Sequence, residues 1–210
     1  MVSHARAVVI TEASSPVACA TASRLAADGH LVLMGSRRPH VCEEFAARLR
    51  VAGRSVFAAH LDLADPYSID RFTDSADYLL GEVDVLISSA GVADRSWAGA
   101  QQLVGQLVPP MIDNGRGDVV LLSPQLAGAS PGAADRMLEA WVSGLDAEFV
   151  GTGVRVSIVR STGAVPPEDA GCLIAAAICS PDLTHVSVVD VIPSVRESAI
   201  TDGVSRETRH

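Results

Sequence analysis

Seven short apolar runs, each separated from the next by a stretch with helical spacing, constrain this chain of 210 residues more than any other feature. Ala7–Thr11, Leu31–Gly35, Ser55–Ala59, Val83–Ile87, Asp118–Leu122, Arg155–Val159 and His185–Asp190 are rich in Val, Ile and Leu with little alternation. That is the pattern of strands covered on both faces. Between them, Pro16–Asp28, Val41–Ala52, Pro66–Leu80, Trp97–Asn114, Ala133–Val150 and Pro167–Ser180 read as helices. Strand and helix in strict turn predict one parallel α/β sheet, doubly wound through right-handed crossovers, with helices on both faces.

Several boundaries have a local cause. Ser15 is placed to cap the first helix, Pro16 suits its first turn, and Gly29 stops it. Pro66 and Pro167 open later helices, where a missing N–H costs little. The helix over Ala133–Val150 sets Leu138, Trp141, Leu145 and Phe149 on one apolar stripe. No internal repeat or linker interrupts the pattern, so residues 1–193 are expected to form a single domain. The polar residues 194–210 are expected to be a poorly ordered tail.

Composition narrows the function classes. A net charge of −9 and a pI near 5.0 oppose nucleic-acid binding, which needs clustered cations. The apolar runs are strand-sized, too short to span a membrane. No apolar signal region precedes the first strand, and Cys19, Cys42, Cys172 and Cys179 lack the close spacing of metal or redox pairs. A cytoplasmic protein with reduced thiols and no metal is the expectation. All 16 basic residues are arginine, so the chain contains no lysine.

Six segments in order then carry a family resemblance: Ala7 to Thr11, Leu31 to Arg38, His60 to Leu63, Val83 to Gly91, Gly117 to Ser123 and Val154 to Arg160. Together, across about residues 5–193, they resemble the classical short-chain dehydrogenases/reductases. The resemblance implies a Rossmann-like sheet of seven strands in the order 3-2-1-4-5-6-7.

The family's phosphate loop is Thr-Gly-x-x-x-Gly-x-Gly; this chain has Thr11 followed by Glu12, Pro16 and Ala18 at the three glycine positions. Those glycines let the backbone turn and approach a pyrophosphate, with helix N–H groups aimed at it. Pro16 removes an N–H and Ala18 adds a Cβ. A Glu12 carboxylate about 4 Å from a phosphate would cost on the order of 4 kcal/mol at an effective dielectric of 20. Other positions resemble the family more closely. Arg37 and Arg38 stand where NADP-preferring members place a cation, Asp62 where the adenine edge is met, and Ala90 and Gly91 end the family's Asn-Asn-Ala-Gly motif. Its asparagines are Ser88 and Ser89 here. Thr11, Arg37, Arg38, Asp62, Ala90 and Gly91 are thus the remnant of a cofactor site.

The resemblance also implies a catalytic Asn, Ser, Tyr and Lys, in which tyrosine donates the proton and lysine lowers its pKa. The Asn position falls at Ser96 and the serine position at Ser123 or Pro124. The tyrosine position is Pro131 and the lysine position Asp135. The only tyrosines, Tyr67 and Tyr78, lie near the helix before strand four, and no lysine exists anywhere. A carboxylate at Asp135 would raise a neighbouring acid's pKa, the reverse of what tyrosine activation needs. The stretches after Gly91 and after Arg160 are also short, where the family carries an extra active-site wall and a mobile substrate loop.

The sequence therefore predicts a pseudoenzyme of this family: catalytically silent, holding NAD(P) weakly or not at all, with NADP preferred if any binds. It is expected to act by association, as a homodimer or with an active paralogue, through the helices at Trp97–Asn114 and Ala133–Val150. The stripe of Leu138, Trp141, Leu145 and Phe149 exceeds what covering a sheet requires, unless these residues only face that sheet. The alternatives are an NADP-dependent oxidoreductase with an atypical site, and a sensor of a nucleotide or other small ligand.

Overall fold

The computed structural model describes residues 5–89, 96–125, 132–162, 165–179 and 188–191. Among these residues, seven parallel strands form one sheet: β1 (Ala7–Ile10), β2 (Leu31–Ser36), β3 (Val56–His60), β4 (Val85–Ser88), β5 (Gly117–Gln125), β6 (Val154–Thr162) and β7 (Val188–Val191). Their order is β3-β2-β1-β4-β5-β6-β7, as the family resemblance implies. Six helices alternate with them: α1 (Pro16–Ala27), α2 (Pro39–Val51), α3 (Pro66–Leu80), α4 (Ser96–Asp113), α5 (Ala133–Phe149) and α6 (Pro167–Cys179).

The unbroken apolar strands divide into two cores, one on each face. Val8, Ile10, Val32, Met34, Val85 and Ile87 pack with α1, α2 and α6. Val9, Leu33, Leu86, Val119, Leu121 and Ile158 pack with α3, α4 and α5. Successive residues of each strand thus point to opposite cores. The α1 boundaries form as expected: Ser15 Oγ accepts the Ala18 N–H at 3.2 Å, Pro16 takes the first turn, and Gly29 follows with φ +93°.

Two expectations need correction. Helix α2 begins at Pro39 rather than Val41, because Pro39 supplies a helical φ at a position whose N–H needs no partner. The stripe on α5 is not surplus. Leu138, Leu145 and Phe149 are 2%, 8% and 5% exposed and sit with Val142 in the chain's own core. Four such side chains contribute on the order of 8 kcal/mol to docking α5 on the sheet. Trp141 is half-buried and meets Trp97 of α4 edge-on, centroids 4.7 Å apart and planes at 67°. The expected tail and the expected start of strand seven at His185 lie outside the described residues.

Opposite the C-terminal strand ends, an ionic network ties the sheet together. The Asp118 carboxylate, 6% exposed, meets Arg6 at 2.6 Å and Arg155 at 2.7 Å. These charges are paired from both sides, which offsets the cost of taking a carboxylate out of water.

Candidate functional site

The strand order reverses between β1 and β4, and in open parallel sheets that switch point opens a crevice at the C-terminal strand ends. Thr11 closes β1 there. It is 1% exposed, its hydroxyl lies 3.1 Å from that of Ser88 on β4, and it accepts the Ser89 N–H at 3.1 Å. Three hydroxyl residues thus bind the two strand ends across the crevice floor.

The loop from β1 to α1 keeps the shape a glycine would give it without the glycine. Glu12 adopts φ +49°, the single non-glycine residue with positive φ among the described residues. That left-handed conformation costs an L-residue about 1 kcal/mol or more. At the helix mouth, Pro16 has no N–H, the Ala18 N–H is bonded to Ser15 Oγ, and the Cys19 N–H to the Ser15 carbonyl at 3.0 Å. Pro16 thus removes one donor that could face an anion here, and Ser15 Oγ engages another, the Ala18 N–H.

At the far side of the crevice, Arg37 and Arg38 follow β2 and are exposed. Arg38 Nη2 donates to Ser14 Oγ at 3.3 Å, and its backbone N–H donates to Ser36 Oγ at 3.1 Å. His60 ends β3 in register with Ser36, and Asp62 follows it, with Oδ1 accepting the Ala64 N–H at 2.9 Å. These residues form a polar, partly cationic lip.

The other end of the crevice is where the family resemblance places its chemistry. Ser123 of β5, 8% exposed, donates from Oγ to Asp135 Oδ1 of α5 at 3.0 Å. Asp135 Oδ2 in turn accepts the N–H of Gly132, the α5 N-cap residue, at 2.9 Å. Gly132 has no side chain to cap its helix, so Asp135 in the first turn supplies the carboxylate that does. Beside them, Arg160 of β6, in register with Ser123, is ion-paired with Glu139 one turn along α5.

Of the residues singled out by sequence, the structure brings Ser123 and Asp135 together and gathers Arg37, Arg38 and Asp62 at the opposite lip. Ser96 opens α4, half-buried. Pro131, Ala90 and Gly91 lie outside the described residues, as does the side chain of Pro124. Sequence reasoning missed Ser14 and His60 at the lip and the Arg160–Glu139 pair. Parallel register of β5 with β6, which sets Arg160 beside Ser123, was the signal for the last of these.

A sheet of this order with a crevice at its switch point defines a Rossmann-like α/β domain. The chain belongs to the short chain dehydrogenase family, whose model matches residues 6–166. It is 30% identical over 179 residues to the glycine betaine reductase ATRR of Emericella nidulans, covering 74% of this chain and 14% of that protein. It is 29% identical over 180 residues to the 1-deoxy-11-beta-hydroxypentalenate dehydrogenase of Streptomyces exfoliatus, covering 73% of this chain and 66% of that one. The chain thus spans less than two thirds of either relative. Among solved structures, a metagenomic short-chain oxidoreductase in complex with NADP superposes with TM-score 0.82 at 24% identity, covering 93% of this chain and 100% of that one. At that identity the likeness speaks for the fold. Among the described residues, no helix is long and apolar enough to cross a membrane.

Proposed function

We propose that this chain is a short-chain dehydrogenase domain, residues 1–193, that has given up carbonyl reduction and acts by association. The observation that carries the reading is the Ser123–Asp135 hydrogen bond. At the position where the family resemblance puts a lysine, this chain has a carboxylate whose two oxygens serve Ser123 and the α5 N-cap. Proton delivery to a carbonyl needs a donor held ready near the reacting atom. Here the serine's own proton is directed at Asp135.

The cofactor end supports the same reading. Pro16 and the N–H groups bonded to Ser15 leave α1 poor in donors for a pyrophosphate, and Glu12 adds a carboxylate beside it. We infer weak or absent NAD(P) binding. The test is NADPH and NADH oxidation with ketones and ketoacyl thioesters, and the reverse reaction with secondary alcohols. No turnover above background is expected. Activity in the wild type that vanished in Ser123→Ala would overturn the proposal, since it would show a serine-centred site at work.

For association, the outward face of α5 fits a second copy of this chain better than a paralogue. Arg136, Met137, Ala140, Gly144, Ala147 and Glu148 are all exposed. They form three pairs placed symmetrically about Val142. In an antiparallel pairing of two α5 helices, Arg136 meets the other copy's glutamate, Met137 its small Ala147, and Ala140 its glycine. Such self-complementarity is what a two-fold interface requires. A Cβ added at Gly144 would meet nothing within 4 Å in the monomer, so Gly144→Arg should block pairing without disturbing the fold. Light scattering is expected to give a dimer for wild type and a monomer for Gly144→Arg.

A second reading, an NADP-dependent oxidoreductase with an atypical site, is favoured by the lip of Arg37, Arg38 and Ser14. Any residual cofactor binding should therefore prefer NADP, and Arg38→Asp should abolish that preference.

A further inference from the structure

His30 lies at the end of the sheet opposite the crevice and belongs to none of the machinery above. It is 1% exposed, between the end of α1 and the start of β2. Its Nδ1 accepts the backbone N–H of Arg6 at 3.0 Å, and its Nε2 lies 3.4 Å from the Cys179 Sγ at the end of α6. A backbone N–H can only donate, so Nδ1 is the bare nitrogen and Nε2 carries the proton, directed at sulfur. This tautomer leaves no base facing Cys179, so the pair is not a poised thiol nucleophile.

The same residue that donates to His30 joins four elements. Arg6 bonds the Ile178 carbonyl of α6 at 3.1 Å, the Asp84 carbonyl before β4 at 2.9 Å and the Asp118 carboxylate of β5 at 2.6 Å. Its carbonyl accepts the Leu31 N–H of β2 at 2.9 Å. The groups facing the imidazole are the Arg6 guanidinium, the Asp28 and Asp84 carboxylates and the Cys179 thiol. Arg24 and Asp118 stand behind them around Cys179.

We propose that His30 is a pH-sensitive latch: a proton added at Nδ1 displaces the Arg6 backbone N–H and frees the joint between β1, β2 and the end of α6 while the rest of the sheet stays folded. A protonated ring has no acceptor left, so two N–H groups confront each other in a buried site. Burial, and after it the Arg6 charge, hold the imidazole below its ordinary range, whereas Asp28 and Asp84 act the other way. The sign follows. Above the ordinary value of about 6.5 the closed and open joints are both neutral and the latch is unaffected by pH. As pH falls below it, the open joint takes up a proton that the closed one resists. The open population then rises by up to about tenfold per pH unit until the closed form titrates too.

Hydrogen exchange of the full chain at pH 7.5 and 5.5, corrected for intrinsic rates, tests this. Amides at the start of β1, the start of β2 and the last turn of α6 should open more at pH 5.5, by up to about tenfold, with β4 unchanged. His30→Asn keeps an acceptor for Arg6 but does not titrate, and should show less than about a twofold change. An equal rise in His30→Asn, or a rise shared by β4, would overturn the proposal. Should that variant not fold, nitrogen chemical shifts of His30 in the wild type decide. A bare Nδ1 at pH 7.5, titrating together with a shift of the Arg6 amide, supports the latch. A protonated Nδ1 at pH 7.5, or a titration that leaves the Arg6 amide unmoved, refutes it.

Discussion

Replacing Asp135 by alanine probes what the former lysine position now does. Two bonds end on its carboxylate, from the Ser123 hydroxyl and from the Gly132 N–H. Gly132 is exposed, so water can take over its donor, and losing this cap should cost about 0.5–1 kcal/mol. The missing negative charge in the first helical turn adds a few tenths. Ser123 is buried, and an orphaned buried hydroxyl costs about 1–3 kcal/mol, less whatever rotation recovers. These contributions share one side chain and do not simply add. About 2 kcal/mol is the expected total, a fall in Tm of roughly 4–8 °C for a chain of this length. Asp135→Lys should be worse, because a cation opposes the helix dipole at an N-terminus and accepts no hydrogen bond. Urea and thermal melts measure both, alongside a double-mutant cycle with Ser123→Ala. If Asp135→Ala and Asp135→Lys melted like wild type, or the cycle showed no coupling, the carboxylate would have no structural duty and the reasoning would fail.

Other outcomes follow from the same geometry. Glu12→Gly should raise stability by about 1 kcal/mol, since the loop already holds a left-handed φ that glycine adopts freely; an unchanged or lowered Tm would contradict the strain. Trp141→Ala should cost about 2 kcal/mol through its contact with Trp97 yet leave the dimer intact, because that ring faces the chain's own core. A monomeric but stable Trp141→Ala would return the interface to the inner stripe.

The fold was legible because strands buried on both faces write themselves as continuous apolar runs, and because Ser15, Pro16 and Gly29 mark one helix at both ends. Strand order then followed from family resemblance rather than from any residue. The fate of the α5 stripe was not legible. Leu138, Leu145 and Phe149 have the same spacing whether they cover a sheet or a partner, and only their burial on β5 and β6 decides. The lost family residues could be read directly, since no alignment can produce a lysine that the chain lacks. What replaced them could not. The Ser123–Asp135 bond depends on a strand end meeting a helix start, and the Arg6–Asp118–Arg155 network joins β1, β5 and β6, which are far apart in sequence. The burial of His30 between α1 and α6 emerges only once both helices are docked.

Calorimetric titration of the wild-type protein with NADPH bears most directly on the central claim, because it needs no knowledge of a substrate. With Pro16 at the helix mouth, Ala18 and Cys19 N–H groups held by Ser15, and Glu12 at the loop, a Kd weaker than about 10 μM or no measurable heat is expected. A Kd well below about 10 μM, more than roughly 6.8 kcal/mol of binding, would contradict it. The crevice would then be a working cofactor site, and the reading of this chain as a silent member of its family would have to be given up.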